Sequence, residues 1–279
     1  MGKKIEIPSI DDVRKHLIAP PGKKFNLAER NTADRALFGD KEDAKTSLKK
    51  DAAVINELKD VLYAIKKQSV LVILQGMDTA GKSGTIKSVF ANTTPLGMEV
   101  KAFKAPSSNE LARDYLWRVH NAVPQKGHVG IFDRSHYEDV LVVKVRKFAD
   151  PAAVEQRYDQ INAFEKHITE NGVAIVKCML NIGYAEQGVR LSERLSEAHK
   201  LWKFNPADLE DRRMWPDFMA AYETAVERCS TEHAPWYIIP ADSRTRRSAL
   251  IARLVRGALE DMHLEWPDPG LNPADYEIG

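Results

Sequence analysis

The sequence predicts an α/β fold of three layers, in which a parallel sheet is covered by helices on both faces. Apolar segments of strand length alternate with helical patterns along the 279 residues, which is typical of parallel sheets with helical crossovers. A phosphate-loop motif, G-x-x-x-x-G-K-[ST] at residues 76–83, stands between one of these strands and a helix. A chain of this length has ample core for one large domain.

The elements follow one another in a regular order. Apolar residues recur at spacings of three and four from Ile55 to Ile65 and predict a helix over 41–67, which precedes the apolar strand 69–75. Ser107 with Glu110 resembles a capping box that opens a later helix. Further strands are predicted at 100–104, 129–132, 173–180 and 236–239, and further helices at 83–92, 107–119, 136–146, 151–171, 184–213, 215–229 and 243–264.

These segments are interpreted as one main domain over residues 46–265, which includes a lid at about 184–213. Residues 1–45 are mixed in character and carry Pro-Pro-Gly at 20–22. We predict that they form an extended arm that packs on the body or on a neighbouring subunit. Residues 266–279 are predicted to be a C-terminal tail.

Composition excludes several classes of protein. The net charge of +1 gives no global basic field, so we expect no nucleic-acid partner, and any polyanion must be met by a local cluster. No window approaches the roughly 18 apolar residues of a membrane span, and the start has no apolar stretch typical of a signal peptide. Cys178 and Cys229 fit no metal or disulfide spacing. We therefore expect a cytoplasmic protein without a membrane partner.

The motif at 76–83 predicts a site that holds phosphate. Its glycines let backbone N–H groups converge on an anion, and the helix N-terminus that follows favours negative charge. Lys82 would reach the β- and γ-phosphates, and the hydroxyl of Ser83 would point at Mg²⁺. The predicted phosphate-binding residues are Gly76, Thr79, Ala80, Gly81, Lys82 and Ser83.

Two aspartates are predicted to bind Mg²⁺. Asp133 follows the strand 129–132, as the metal-binding Asp of a Walker B element does, and the carboxyl ends of parallel strands lie at one edge of the sheet. Asp78 lies inside the phosphate loop, where a carboxylate repels the ligand unless a cation stands between them. The alternatives are an ordinary turn or cap for Asp133, and an exposed or acceptor-orienting group for Asp78.

Cationic side chains for the transferring phosphoryl group come from several segments. Arg134 adjoins the metal Asp, and Arg113 and Arg118 lie on the preceding helix. Residues 200–213 combine basic and aromatic side chains, which is typical of a mobile lid that excludes water. The alternative for Arg190, Arg194 and Lys200 is a solvated helix pair with internal salt bridges. The cluster 144–147 either lines the approach of a long anion or is an ordinary solvated helix end.

Together these residues resemble the polyphosphate kinase 2 family. The family's loop has the form G-x-D-x-x-G-K, matched by residues 76–82, and its second motif has Asp-Arg-Ser, matched by residues 133–135. The resemblance covers about residues 25–265 and continues through further segments, namely 111–118, 136–142, 202–204, 208–213 and 234–241.

The resemblance implies a P-loop kinase-like fold with a helical lid. It also implies Mg²⁺-dependent, reversible transfer from inorganic polyphosphate to AMP and/or ADP, giving ADP or ATP, and a homo-oligomer, either a dimer or a tetramer. By this analogy the residues with roles fall into three groups: Asp78, Lys82, Asp133 and Arg134 in catalysis, with both aspartates on the metal; Arg118, Arg134 and Glu138 at the nucleotide; and Lys203, Arg212 and Arg213 in the lid.

Two other functions stay open at this stage. An ATP-dependent nucleoside monophosphate kinase would share the fold, the loop and the lid. A nucleotide-gated binding switch would hydrolyse slowly and signal by loop movement, but the arginines and the 200–213 segment supply more cationic groups than gating needs. The rivals differ in whether transfer requires polyphosphate.

Overall fold

Helices and strands alternate along the chain in the computed structural model, which describes residues 7–272, 275–276 and 278. The helices are Ile10–Leu17 (α1), Lys41–Ile65 (α2), Lys82–Val89 (α3), Ser108–Leu111 (α4), Trp117–His120 (α5), Val142–Val145 (α6), Pro151–Glu170 (α7), Tyr184–Ser196 (α8), Ala207–Arg213 (α9), Trp215–Cys229 (α10) and Arg244–Glu260 (α11). The strands are Ile18–Ala19 (β1), Ser69–Gln75 (β2), Met98–Ala102 (β3), Val129–Asp133 (β4), Val173–Asn181 (β5) and Trp236–Pro240 (β6). Short 3₁₀ helices occupy Leu27–Glu29, His136–Asp139 and Leu201–Lys203.

The strands form one six-stranded sheet in the order β1-β6-β5-β2-β4-β3. All neighbouring pairs are parallel except β1 with β6. Strand β2 lies at the centre and is buried along its whole length, which explains its uninterrupted apolar sequence. Leu74 at its carboxyl end pairs with Asp133 of β4 on one side and with Cys178 of β5 on the other. The register therefore brings the phosphate loop and Asp133 to one edge.

Two groups of helices cover the sheet. Helices α2, α3 and α11 pack together in one layer, whereas α7 and α10 pack together in the other, and both layers contact the central strands. The predicted three-layer α/β fold is confirmed. None of the helices in the described part of the chain has the length and apolar character needed to cross a membrane.

Three predicted helices are broken. The segment 107–119 forms α4 and α5, the segment 136–146 forms a 3₁₀ helix and α6, and the segment 184–213 is interrupted between α8 and α9. In the first case the cause is local: the carboxylate of Asp114 accepts hydrogen bonds from the backbone N–H groups of Leu116 and Trp117, at 3.0 and 3.1 Å. Such a side-chain bond replaces the helical one and restarts the helix.

The segment predicted as an extended arm contains a helix and a strand. Helix α1 begins with a capping box between Ser9 and Asp12 and packs on α11, and β1 pairs with β6 at the edge of the sheet. Residues 10–17 are therefore helical rather than extended, and residues 10–19 pack on the body of the protein. Residues 1–6 of the predicted arm, and residues 273–274, 277 and 279 of the predicted tail, lie outside the described residues.

Candidate active site

The loop between β2 and α3 depends on two glycines. Gly76 has φ +150°, and a Cβ atom there would lie 2.7 Å from the carbonyl oxygen of Leu180. Gly81 has φ +105°, and a Cβ atom would lie 2.1 Å from Nη1 of Arg247. Other residues would clash at both positions. The loop therefore turns tightly and delivers the chain to the N-terminus of α3, where free backbone N–H groups favour an anion.

Two arginines from other helices hold this loop through its carbonyl groups. Arg190 of α8 donates to the carbonyl oxygens of Thr79 and Ala80, at 3.1 and 3.2 Å, and with its other nitrogen to the segment that follows β6. Arg247 of α11 donates to the carbonyl of Ala80 at 2.9 Å and to the hydroxyl of Thr85 at 2.8 Å. Burial, together with the neighbouring Arg190, lowers the pKa of Arg247 to about 9.

The four residues predicted to be catalytic lie together at the edge of the sheet. Nη2 of Arg134 donates to Oδ1 of Asp78 at 2.6 Å. The hydroxyl of Ser83 donates to Oδ2 of Asp133 at 2.8 Å, and Nζ of Lys82 donates to the carbonyl oxygen of Gly76 at 2.6 Å. Arg134 has φ +64°, a left-handed conformation that aims the chain back toward the phosphate loop.

Burial and neighbouring charges shift the pKa values of Asp78 and Lys82. Burial by itself would raise the pKa of Asp78, but Lys82 and Arg134 outweigh it and hold that pKa below its ordinary value. The pKa of Lys82 is lowered, because burial disfavours its charge more than the nearby carboxylates favour it. Asp78 is therefore ionised at neutral pH.

The side-chain oxygens near the phosphate loop could bind a divalent cation together with oxygens from substrate phosphates and water. Asp78, Asp133 and Ser83 offer two carboxylates and a hydroxyl, which are the hard oxygen ligands that Mg²⁺ prefers. Within the described ranges, no group of three or more His, Cys, Asp or Glu side chains forms a metal cage. Mg²⁺ is commonly bound by one or two carboxylates together with substrate phosphates and water, and this donor set fits that pattern.

A cleft of about 680 Å³ opens above the phosphate loop. Nine cationic side chains and three carboxylates line it: Lys82, Lys104, Arg134, Arg190, Arg194, Lys200, Lys203, Arg244 and Arg247, with Asp78, Asp133 and Glu193. This excess of positive charge is the local cluster that the near-neutral composition requires of a protein that binds a polyanion.

The residues predicted to act in a lid divide into one that faces the cleft and two that do not. Lys203 lines the cleft. Arg212 does not, because its Nη1 donates to the carbonyl of Tyr184 and to Oε1 of Gln187, at 2.7 and 2.6 Å. Arg213 is exposed and is absent from the cleft lining.

The basic cluster 144–147 does not act as a free anion site as a whole. Its Arg146 donates to Asp211 at 2.5 and 3.0 Å and to Glu210 at 3.0 Å, both on α9. Arg146 therefore links α9 to the segment that follows α6.

Of the three residues predicted to bind the nucleotide, Arg134 lines the cleft, whereas Glu138 and Arg118 lie beside it. Oε1 of Glu138 accepts a hydrogen bond from Gln75 at 3.1 Å, and burial raises the pKa of Glu138. Nη1 of Arg118 donates to the carbonyl of Lys104 at 2.9 Å, and its guanidinium lies 5.4 Å from the centre of the Phe103 ring. Glu138 thus adjoins the end of β2, and Arg118 adjoins the end of β3.

Comparison with known proteins agrees with this geometry. Residues 39–267 match the family described as polyphosphate kinase 2. The chain belongs to the polyphosphate kinase 2 family. It is 43% identical over 261 residues to the AMP/ADP-polyphosphate phosphotransferase of Meiothermus ruber, a match that covers 92% of this chain and 96% of that protein. The protein is therefore a polyphosphate kinase, as its motifs predicted.

Two further relatives of this polyphosphate kinase cover most of its length. The ADP-polyphosphate phosphotransferase of Rhodopseudomonas palustris is 35% identical over 259 residues, which are 88% of this chain and 90% of that protein. The crystal structure of polyphosphate kinase 2 from Arthrobacter aurescens superposes with a TM-score of 0.91 at 39% identity, and the match covers 98% of this chain and 96% of that one.

Several cleft residues of this polyphosphate kinase were missed from its sequence or left open. Arg244 and Arg247 were missed, and Arg190 and Arg194 were left between the lid and an ordinary helix pair. One signal was present for the first two, because they follow β6, and the carboxyl ends of parallel strands carry the ligand sites. No periodicity in the sequence shows that Arg190 reaches the phosphate loop.

Proposed function

We propose that this polyphosphate kinase transfers the terminal phosphoryl group of inorganic polyphosphate to AMP and ADP, reversibly and with Mg²⁺, giving ADP and ATP. The observation that carries the proposal is the cleft, whose nine cations and three carboxylates suit a long anion better than a single nucleotide tail. The printed activities of the relatives from Meiothermus ruber and Rhodopseudomonas palustris, which name AMP and ADP or ADP alone, support the choice of acceptor.

The chemistry requires positioning and charge neutralisation rather than a strong base. The second pKa of a nucleotide phosphate is about 6, so its attacking oxygen is already anionic at neutral pH. That oxygen bonds to the terminal phosphorus of polyphosphate, and the bond from this phosphorus to the bridging oxygen breaks, leaving a chain one unit shorter. The acceptor and the donor must therefore be held in line.

Each site residue has a proposed role in that alignment. Lys82 and Arg134 bind oxygens of the transferring group, and the loop 76–83 holds the adjoining phosphate through its backbone N–H groups. Asp78 and Asp133, with Ser83, would hold Mg²⁺, whose chemistry is to neutralise the phosphate oxygens. Proposed contacts outside this centre are Arg118 and Glu138 at the acceptor, and Lys203, with Arg212 and Arg213 behind it, in the lid.

Other properties of the protein stay predictions. We propose a main domain over 46–265 with a lid at about 184–213, a homo-oligomer of two or four copies, and a cytoplasmic location. Both cysteines are buried free thiols, which agrees with a reducing compartment.

The proposed function is tested by incubating the purified protein with Mg²⁺, polyphosphate and either AMP or ADP, and resolving the products by chromatography. We expect ADP and ATP to form, and transfer to stop when polyphosphate is omitted. If ATP with AMP reacts while polyphosphate with AMP or ADP gives no product, the protein is an ATP-dependent kinase and the proposal is wrong. Omission of Mg²⁺ from the same mixture tests the metal.

A further inference from the structure

Arg157 of helix α7 contacts two segments that carry proposed acceptor residues: residues 114–118, with Arg118, and the 3₁₀ helix His136–Asp139, with Glu138. Its Nη1 donates to the carbonyl oxygen of Asp139 at 2.9 Å and lies 3.4 Å from that residue's carboxylate. Its guanidinium also stacks over the ring of Tyr115, at 4.8 Å from the ring centre. The side chain is only 18% exposed. One buried guanidinium thus contacts both segments.

The first of these segments carries Arg118. The hydroxyl of Tyr115 donates to Oε1 of Gln160 on α7 at 3.0 Å, so the Tyr115 ring is fixed at its tip and along its face. Asp114, the preceding residue, accepts from the N–H of Trp117, the first residue of helix α5. Arg118 lies in the first turn of α5. The packing of Tyr115 on α7 therefore helps to fix the position of the backbone from which the side chain of Arg118 extends.

The second segment carries Glu138. It is a single 3₁₀ helix, His136–Asp139, and its last carbonyl is the one that Arg157 binds. Glu138 is the neighbour of Asp139 and faces Gln75 at the end of β2. A 3₁₀ helix of four residues has few hydrogen bonds of its own. Its position therefore depends on contacts from outside, and Arg157 supplies one of them.

The two segments also interact electrostatically. Burial raises the pKa of Asp139 to about 6, while the positive charges of Arg157 and Arg118 oppose that rise. Arg118 therefore acts on the same buried carboxylate as Arg157. A displacement of Arg157 would therefore change the surroundings of both Arg118 and Glu138.

We propose that Arg157 is a positioning residue for the acceptor nucleotide, which fixes the separation between Arg118 and Glu138 without contacting the substrate. The inference rests on the proposed function, because it assumes that these two residues bind AMP or ADP. Arg157 is absent from the lining of the phosphate cleft. Its loss should therefore weaken binding of the acceptor and spare binding of polyphosphate.

The test measures KM separately for each substrate in Arg157→Met. We expect the KM for AMP and for ADP to rise about tenfold, which is less than the roughly hundredfold loss that a 1 Å misplacement can cause. The KM for polyphosphate should stay within about twofold of wild type. Arg157→Lys keeps a donor for the Asp139 carbonyl but loses the flat face that stacks on Tyr115. We expect Arg157→Lys to retain most of the wild-type affinity for the acceptor, so that the KM for AMP and for ADP rises only about threefold.

Arg228→Met is the matched control. Arg228 also contacts α7, through Glu155 and by stacking 5.1 Å from the centre of the Tyr158 ring, but it touches neither acceptor segment in the contacts of the described residues. We expect its KM values to equal those of the wild type. An acceptor KM unchanged in Arg157→Met, or raised together with the polyphosphate KM, would overturn the proposal.

Two further results are possible: Arg157→Met does not fold, or the wild-type protein shows no transfer. If Arg157→Met does not fold, Arg157→Lys decides, and an acceptor KM equal to that of the wild type overturns the proposal. If the wild-type protein itself shows no transfer from polyphosphate, the proposed function has failed, and this is seen before any variant is measured.

Discussion

Each of the two proposed metal-binding aspartates has a partner that a bound cation would have to share or displace. Asp78 is paired with Arg134, and Asp133 accepts from Ser83. The Asp78 pair joins a half-buried guanidinium to a carboxylate held ionised by its neighbours. Asp133 accepts its hydrogen bond from a neutral hydroxyl and, among the described residues, forms no direct ion pair like that of Asp78, although the charge of Lys82 lies near it. It is therefore the better test of the metal.

We expect Asp133→Asn to reduce transfer at least about a hundredfold, because the amide removes a negative ligand from the phosphate-bound cation. The fold should survive, since asparagine keeps the oxygen that accepts from Ser83. Initial rates at several Mg²⁺ concentrations and a thermal unfolding curve check this. Activity near that of the wild type in a folded variant would remove Asp133 from the site.

Asp139 gives a pH prediction. Its folded pKa of about 6, raised by burial, lies above the unfolded value of about 3.9. Its contribution to stability is therefore fully present below the unfolded pKa and is lost as the pH rises through the folded one. Relative to Asp139→Asn, the wild type should lose about 2 kcal/mol between pH 4 and pH 7. Urea unfolding of both proteins across this range measures the difference, and parallel curves would contradict it.

The sequence predicted the residues whose roles follow from local motifs. Asp78, Lys82 and Ser83 belong to one loop, and Asp133 comes to it because β2 and β4 are neighbours in a parallel sheet. The sequence did not predict that Arg190 and Arg247 hold the loop, because their contacts are made by side chains that cross from α8 and α11. Such contacts depend on tertiary packing, which no local pattern records.

At the scale of elements, the strands were predicted more accurately than the short helices. β2 was predicted with its observed bounds, Ser69–Gln75, because a central parallel strand is apolar throughout. The break between α4 and α5 was missed because it depends on the capping bonds of Asp114, and Asp residues inside a helical pattern do not always form such bonds. The acceptor segments lie at breaks of this kind.

Helix α8 places a carboxylate among the cations that line the cleft above the phosphate loop. Glu193 accepts from Arg244 at 2.5 Å and from Lys200 at 3.1 Å, and it lines the cleft. Phosphate oxygens of a bound chain would compete with this carboxylate for the same donors and would be repelled by its charge. We therefore expect Glu193 to weaken binding of polyphosphate.

We expect Glu193→Gln to lower the KM for polyphosphate about threefold at low salt, and the difference to shrink as salt is added. Glu197→Gln is the control, since Glu197 also pairs with Lys200, at 2.6 Å, but is absent from the cleft lining. The KM of Glu197→Gln for polyphosphate should change less than that of Glu193→Gln. A KM that rises in Glu193→Gln would show instead that the carboxylate orients the two cations for the substrate.

Over the whole molecule, the cleft lining has an excess of positive over negative side chains that the chain as a whole does not have. The chain has a net charge of only +1, whereas the cleft lining holds nine cations and three carboxylates, so the rest of the molecule is net negative. A polyanion is therefore repelled by most of the surface and attracted to the cleft, an arrangement that steers association. This distribution cannot be read from the overall composition.

A buried cluster of charged side chains joins α2 to α11, away from the cleft. These helices belong to the layer on the other face of the sheet from α7 and α10. Asp51 of α2 is 1% exposed and accepts from Arg253 and Arg256 of α11, at 2.9 and 3.1 Å, and from Ser47 at 3.0 Å. Arg253 also donates to the carbonyl of Pro8 at 2.6 Å. One carboxylate thus ties α2, α11 and the start of the described chain together.

We expect Asp51→Ala to lower the free energy of unfolding by about 3 kcal/mol, because it leaves the buried guanidinium of Arg253 without its counter-charge. Both KM values should remain those of the wild type, since none of these residues lines the cleft. Glu170→Ala removes a carboxylate from an exposed pair with Lys166, whose side chains are about 60% exposed, and should cost at most about 0.5 kcal/mol. Urea unfolding compares the two variants. Equal losses in both would show that the α2–α11 cluster does not stabilise the fold, and a raised KM in Asp51→Ala would show that this layer also sets the geometry of the site.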